Sequence, residues 1–414
     1  MNSMNNNKSR GFNITYIFPI VILSYTFSML WGWIPYTRSL IPLIIGLAAG
    51  CYISKGFFST RSFVCLLIYA VVLFINMMAG DHRYNSIYYI FCDLTSLLLP
   101  ALITFGLFKN GNEKIGNVTV VIVLSFIIIN AIGSFIVDLS FPSVIRVLTG
   151  DRRATGDSTL QYYYFRLGVA NYALPHAITV IIPALVMGIK RITEKRIRIF
   201  LIVALIACMM LIYLSSAATA LILGIFTLII SIMTRSNGRN GIWLLVVGIL
   251  IFIVLSNDSI ILSILEWFDG VIGGEGYFHS KVRDFEDLIV YGQTGGDIEA
   301  RSDLYNESLD AVISNPIFGV NEKIGEHSAL IDHWGYLGLV GFIPYILFFI
   351  FQIKNSYWMI QQKNRLFYIE GVFAAIVMLS LKAFDGWEIC LFIITISPLL
   401  IRFVENKTNI VVTI

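Results

Sequence analysis

Apolar runs of close to 20 residues alternate with short polar connections along most of this chain, and one long polar stretch, Asp258 to Asp332, breaks that rhythm late in the sequence. Runs of this length match the ~30 Å hydrocarbon layer of a bilayer, where a helix satisfies its own backbone hydrogen bonds. The pattern predicts twelve spans: Asn13–Trp31, Leu40–Ile53, Phe63–Ala79, Ile87–Phe108, Val118–Val137, Val169–Ile189, Ile199–Leu214, Ala217–Met233, Ile242–Asn257, Tyr336–Gln352, Phe367–Phe384 and Trp387–Phe403. Leu40–Ile53 and Ile199–Leu214 are short for a crossing. Composition removes the soluble alternative. The 414 residues are 57% hydrophobic and only 13% charged, with mean hydropathy +0.79, whereas soluble domains carry about a quarter charged residues. The expected fold class is all-α, a polytopic integral membrane protein of about twelve transmembrane helices. It divides into a membrane bundle (residues 1–257, with a loop at 138–168), a large loop (258–335) and three last spans with the C-terminus (336–414).

Net charge is +3, and its distribution matters more than its sum. Lys8, Arg10, Lys55, Arg61, Lys109, Lys114, Lys190, Arg191, Lys195, Arg196, Arg198, Arg235, Arg239, Lys354, Lys363, Arg365, Arg402 and Lys407 all fall on one side of the twelve-span arrangement. The short connections on the other side offer Arg38 and Arg83. Cytoplasmic loops carry such an excess, so both termini are expected in the cytoplasm and the two longer loops, Asp138–Gly168 and Asp258–Gly335, outside. The first span runs on without a small-residue cleavage site, so no cleavable signal peptide is expected. Cys51, Cys65, Cys92, Cys208 and Cys390 lie within apolar runs and read as small core residues.

The two long loops differ in chemistry. The first sets Arg146, Arg152, Arg153 and Arg166 against Asp138, Asp151 and Asp157, and ends in Tyr162-Tyr163-Tyr164-Phe165, a cluster suited to the membrane interface or to sugar stacking. Arg166 stands directly before an apolar span, at the depth of a lipid headgroup or diphosphate. It reads either as a bidentate phosphate ligand or as an ordinary snorkelling arginine. The second loop is acidic, with Asp284, Glu286, Asp287, Asp297, Glu299, Asp303 and Asp310 against Lys281, Arg283, Arg301 and Lys323. That balance argues against nucleic acid or any generic polyanion as partner. Within it, Arg301 to Ile313 reads as a helix with Leu304, Leu309, Val312 and Ile313 as its apolar stripe. Asn315-Pro316 ends it, and Gly319 and Gly325 bracket a turn. Ser328 to Asp332 then starts a helix that enters the membrane through Leu337 to Ile350.

His327 therefore sits at a helix start beside the membrane, a setting that favours the neutral imidazole a general base requires. A single histidine does not by itself specify catalysis, and His82, His176, His279 and His333 have no better context. No histidine–carboxylate pair has clear metal-ligand spacing, and neither a Gly-x-Ser-x-Gly elbow nor a phosphate loop occurs. Two ionisable residues interrupt spans. Lys382 is placed to pair with Asp385 three residues on. Asp93 reads either as an interhelical hydrogen bond or as a pathway residue.

The succession Arg301, Leu304-Tyr305, Asn315-Pro316, Gly319, His327-Ser328, Asp332 and Gly335 through Gly341 resembles the Wzy-type O-antigen polymerases and the related O-antigen ligases, bacterial inner-membrane glycosyltransferases. About a dozen spans, cytoplasmic ends and a large late periplasmic loop are similar as well, and Arg166-Leu167-Gly168 looks like that family's earlier periplasmic arginine. The resemblance implies a GT-C-like fold and polymerisation of repeat units carried on undecaprenyl diphosphate. The donor is one lipid-linked chain and the acceptor is the non-reducing sugar of a second. It implies no metal or other cofactor, catalytic roles for His327, Arg301 and Asp332, and diphosphate or sugar contacts from Arg166, Arg153, Ser328 and Tyr305. Membrane lipid, a chain-length regulator and a flippase are the partners it implies. One departure matters: ligase relatives often carry Ser-Arg at a turn between adjacent spans, where this chain has Ser215-Ser216-Ala217-Ala218. This favours polymerase over a ligase acting on lipid A–core, and leaves the second diphosphate contact to Arg166 or Arg153. A flippase for lipid-linked sugar would need charged residues between two similar halves. No internal repeat is evident, and the polar residues concentrate outside the spans. A structural membrane component is the third alternative.

Overall fold

The computed structural model describes residues 13–33, 40–79, 87–109, 112–142, 144–149, 158–234, 297–320, 328–381 and 386–409, with 270, 283 and 324 singly. Among these residues every regular element is helical. We number them α1 (Ile17–Thr26), α2 (Ser28–Trp33), α3 (Leu40–Ile53), α4 (Arg61–Ala79), α5 (Ile87–Lys109), α6 (Glu113–Asp138), α7 (Val144–Thr149), α8 (Ser158–Arg166), α9 (Ala173–Arg191), α10 (Lys195–Leu214), α11 (Ala218–Met233), α12 (Asp297–Ser314), α13 (Ala329–Met359), α14 (Arg365–Leu381) and α15 (Trp387–Thr408). Eight of them, α4, α5, α6, α9, α10, α13, α14 and α15, are long and apolar enough to cross a membrane, and the apolar α1, α3 and α11 are shorter. The protein is a helical, multi-pass membrane protein. Eleven of the twelve expected segments lie on described helices, and the remaining one, Ile242–Asn257, lies outside the described residues.

Several expected spans are not continuous α-helices, and two of them meet at Val169. The first breaks at Phe27, whose backbone is extended, and the Ser28 hydroxyl donates to Val169 O at 2.6 Å. The span placed at Val169 becomes helical only at Ala173, because the Asn171 side chain accepts from Leu174 N (2.8 Å) and caps the helix there. The same helix narrows to a 3₁₀ turn over Ile178–Ile181, just before Pro183, which has no N–H to close a longer ring.

Exposure follows what a lipid-embedded bundle requires. On α4 the exposed residues Val64, Leu67, Ile68, Val71, Phe74, Ile75 and Met78 form one helical stripe, while Cys65, Leu66, Tyr69 and Leu73 are buried on the other face. Near-total burial marks α15 as the central helix. It carries a π-helical turn at Phe392–Ile396, opposite Pro100 of α5. The Thr395 hydroxyl donates to Pro100 O (3.0 Å), and Thr104 donates to Ile394 O (3.0 Å).

The bundle has two chemically distinct ends. At one, Arg402 pairs with Glu113 (3.0 Å) and Glu405 (3.2 Å). Glu405 there accepts from Gln361 N (2.8 Å), and Arg191 donates to Lys363 O (3.1 Å). At the other, Trp387 donates to Thr26 Oγ1 (2.9 Å), Asn171 to Glu388 Oε1 (3.0 Å) and Trp33 to Arg166 O (3.0 Å). Among the described residues, Arg191, Arg365 and Arg402 lie at the first end and Arg166 at the second.

Candidate functional site

The segment with the densest candidate chemistry folds into one unit built from α12, the Asn315–Gly319 turn and the first half of α13. The expected helix after Arg301 exists, but its buried face is not the predicted stripe. Leu309 and Ile313 are exposed, while Ser308 and Ala311 are buried. The reason lies on α13: a Cβ at Gly335 would meet Ser308 O at 2.9 Å and Ala311 Cβ at 3.1 Å. Small residues on both sides let the two backbones approach closely, the packing favoured between helices in lipid.

Helix α13 is one element in sequence but two in geometry, because Gly338 has φ 61° and ψ −174°. That break frees the amides of Leu339 and Val340 from their usual carbonyls, and the Asn-Pro turn supplies replacements. Leu339 N donates to Pro316 O (2.9 Å) and Val340 N to Ile317 O (3.2 Å), while Val320 N donates to the freed Gly335 O (3.0 Å). Gly319 also has positive φ (76°), and an added Cβ there would lie 2.2 Å from Tyr336 O. A Cβ on Gly338 would lie 2.2 Å from Ile317 O. Both positions therefore require glycine for φ and for space. Backbone that leaves the helical ladder at membrane depth is tolerated only where protein satisfies it, and this turn does so.

The N-terminus of α13 is closed by two of the predicted residues. Ser328 is the N-cap, its Oγ accepting from Ile331 N (3.3 Å), and Asp332 Oδ2 accepts from Ser328 N in return (3.1 Å). This reciprocal arrangement is of the capping-box kind, with the acid one residue later than usual. The second Asp332 oxygen accepts from Ser308 Oγ at 2.6 Å, tying α12 to the cap. Asp332 is 1% exposed, and its carboxylate is engaged on both oxygens.

The remaining predicted residues are placed as follows. Tyr305 lies on α12 and its hydroxyl donates to Leu381 O (2.9 Å) at the end of α14, which makes it a tether between helices. Arg301 lies in the second turn of α12, seven residues before Ser308 and so about 10 Å from it along the axis. Arg166 is exposed as the last residue of α8, at the same end of the bundle as Trp33 and Val169. His327 and Arg153 lie outside the described residues, as do Lys382 and Asp385.

Two groups whose partners the sequence did not indicate enter the picture. Tyr69 of α4, Asp93 of α5 and His333 of α13 form one hydrogen-bonded chain beneath the cap: Tyr69 OH donates to Asp93 Oδ2 (3.0 Å), and His333 Nε2 lies 3.1 Å from the same hydroxyl. Asp93 is thus an interhelical hydrogen-bond partner. Arg146 of α7 donates through Nη1 to Ser216 O (3.3 Å), so the turn that lacks an arginine in sequence receives one from α7. Ser216 has φ 51°, unusual for a residue other than glycine. The sequence signal for both groups was a polar residue within or beside an apolar run, without any indication of which partner it meets.

Among the described residues no group of three or more His, Cys, Asp or Glu side chains is arranged to hold a metal ion. No family model matches the chain, and no curated protein matches it.

Proposed function

We propose that this protein joins lipid-linked oligosaccharide repeat units into O-antigen or a similar surface polysaccharide, by metal-independent glycosyl transfer from an undecaprenyl-diphosphate donor at the periplasmic face of a bacterial inner membrane. One observation carries the reading. The residues behind the resemblance to Wzy-type polymerases are spread from Arg301 to Gly341, and Ser328, Asp332, Gly335, Pro316 and Gly319 meet in a single interlocked unit at the end of a broken membrane helix. Broken helices place helix termini where a polar substrate meets lipid, and the Ser328 cap is such a terminus.

In this reading the acceptor sugar hydroxyl attacks the anomeric carbon of the donor, and the bond from that carbon to the diphosphate oxygen breaks. Arg301 and Arg166 receive the charge that develops on the leaving diphosphate. Arg153, the alternative second contact, lies outside the described residues, and Arg146 stands at this end of the bundle on the Ser216 turn. His327 takes the hydroxyl proton. Asp332 acts through the cap: its carboxylate fixes Ser328, the residue next to His327, instead of touching the substrate. The sugar chains remain in water while both lipids lie in the bundle's surroundings, which removes much of the translational freedom of the two reactants.

The test is reconstitution of the full-length protein in proteoliposomes with a lipid-linked repeat unit as the only substrate. A ladder of products differing by one repeat supports polymerisation. Transfer of the unit across the bilayer without a ladder indicates a flippase. A product formed only when lipid A–core is added indicates a ligase.

A further inference from the structure

The first half of α13, Ala329 to Leu337, is folded against the rest of the same helix, and the His333 ring records it. His333 stacks on Tyr345 with centroids 4.3 Å apart and planes 15° apart. In an unbroken helix residues twelve apart are separated by about 18 Å along the axis, further than two ring side chains can bridge. The Gly338 break therefore turns the segment back on its own continuation. The hydrogen bonds at the Asn-Pro turn and at Asp332 hold one flank of this segment to α12 and its turn. His333 holds the other flank, to α4 and α5.

We propose that the Asp93–Tyr69–His333 chain is a positioning device for the proposed transfer site: it fixes the height and direction of Ala329–Leu337, and with them the Ser328 cap. This rests on the polymerase reading for its consequence, not for its geometry. His333 Nδ1 faces Ala329 O at 2.7 Å, so that nitrogen carries a hydrogen. Tyr69 has one hydroxyl hydrogen. If Asp93 receives it, His333 Nε2 donates to Tyr69 Oη and the chain is an imidazolium and a carboxylate. If Nε2 receives it, Asp93 is protonated and donates to Tyr69. Both arrangements hold the same number of protons and the same two hydrogen bonds, beside Tyr69 and His333 at 0% and 1% exposure. Removing the Tyr69 hydroxyl breaks both of these hydrogen bonds. Asp93→Asn does not, because its amide donates to Tyr69 Oη while Tyr69 donates to a neutral His333.

The experiment uses the full-length protein in lipid nanodiscs, comparing wild type, Tyr69→Phe, Asp93→Asn and Asp93→Leu. Hydrogen–deuterium exchange is the readout that does not depend on catalysis. Amides of Asp332–Leu337 should exchange about three- to tenfold faster in Tyr69→Phe and Asp93→Leu, while those of Phe342–Gln352 and all amides of Asp93→Asn stay at wild-type rates. In the polymer assay kcat should fall about tenfold in the first two variants with the KM for lipid-linked donor within about twofold of wild type. Asp93→Asn should retain most of the activity. Unchanged exchange in Tyr69→Phe, or a loss spread evenly over α13, overturns the proposal, and so does wild-type kcat in that variant. If Tyr69→Phe does not accumulate, Asp93→Leu against Asp93→Asn carries the same decision. If wild type makes no polymer, the enzyme reading falls and the exchange comparison still decides the positioning claim.

Discussion

Substituting alanine for Gly338 tests whether the α13 break and the Asn-Pro turn are one junction. The new Cβ would stand 2.2 Å from Ile317 O, at a residue with φ 61°. Holding an L-residue at that φ with ψ −174° costs about 1–3 kcal/mol. The clash is with backbone, so the Ile317 carbonyl must move away, taking with it the bonds that Val340 N and Leu339 N make to Ile317 O and Pro316 O. Each amide left unpaired in apolar surroundings costs about 1–3 kcal/mol. The total is at least about 3 kcal/mol, enough to lower a thermal midpoint in detergent by roughly 5 °C. Gly319→Ala should act alike, since its Cβ would lie 2.2 Å from Tyr336 O across the same junction. The double variant should lose clearly less than the sum of the two, because the bonds can be broken only once. Gly270, where an added Cβ meets nothing within 4 Å, is the control. A Gly338→Ala midpoint no lower than that of Gly270→Ala, or strict additivity of Gly319→Ala and Gly338→Ala, refutes the single-junction argument.

Asp332→Ala strands the Ser328 amide and should loosen the α12 attachment by about 1–3 kcal/mol, seen as faster amide exchange in α12. Ser308→Ala should cost less, because its hydroxyl also reaches Leu304 O (3.1 Å), and equal losses from the two changes contradict this. Arg301→Ala should abolish the polymer ladder at normal expression, and Arg301→Lys should restore little, since a point charge does not replace a bidentate fork; full activity in Arg301→Ala removes it from the site.

The membrane helices were readable because one rule governs them: apolar length. The Asn315-Pro316 stop and the Ser328 start were readable for a similar reason, since both are local chemistry carried by the residues concerned. What escaped depended on partners distant in sequence. Leu309 and Ile313 satisfy a helical stripe as well as any residues do, yet Ser308 and Ala311 are the buried ones because Gly335 opposite leaves room only for small side chains. His333 carried no local signal, and its meaning comes from Tyr69, 264 residues away. Arg146 and Ser216 meet across 70 residues through a turn with an unusual φ. The Gly338 break was hidden for a different reason: glycine is common in membrane helices, and only the Pro316 and Ile317 carbonyls opposite make this one a break.

Polymer ladders from variants of His327, the residue just ahead of the Ser328 cap, decide whether a general base works at this site. Proteoliposomes carrying wild type, His327→Ala, His327→Asn and His327→Ser, matched for protein content, would be given the same lipid-linked repeat unit. As general base, His327 should be irreplaceable: turnover falls roughly 10²–10⁴-fold in all three variants while donor binding persists, because the arginines carry it. Near-normal ladders from His327→Asn or His327→Ser, side chains that can cap a helix but cannot take the proton, would contradict the account.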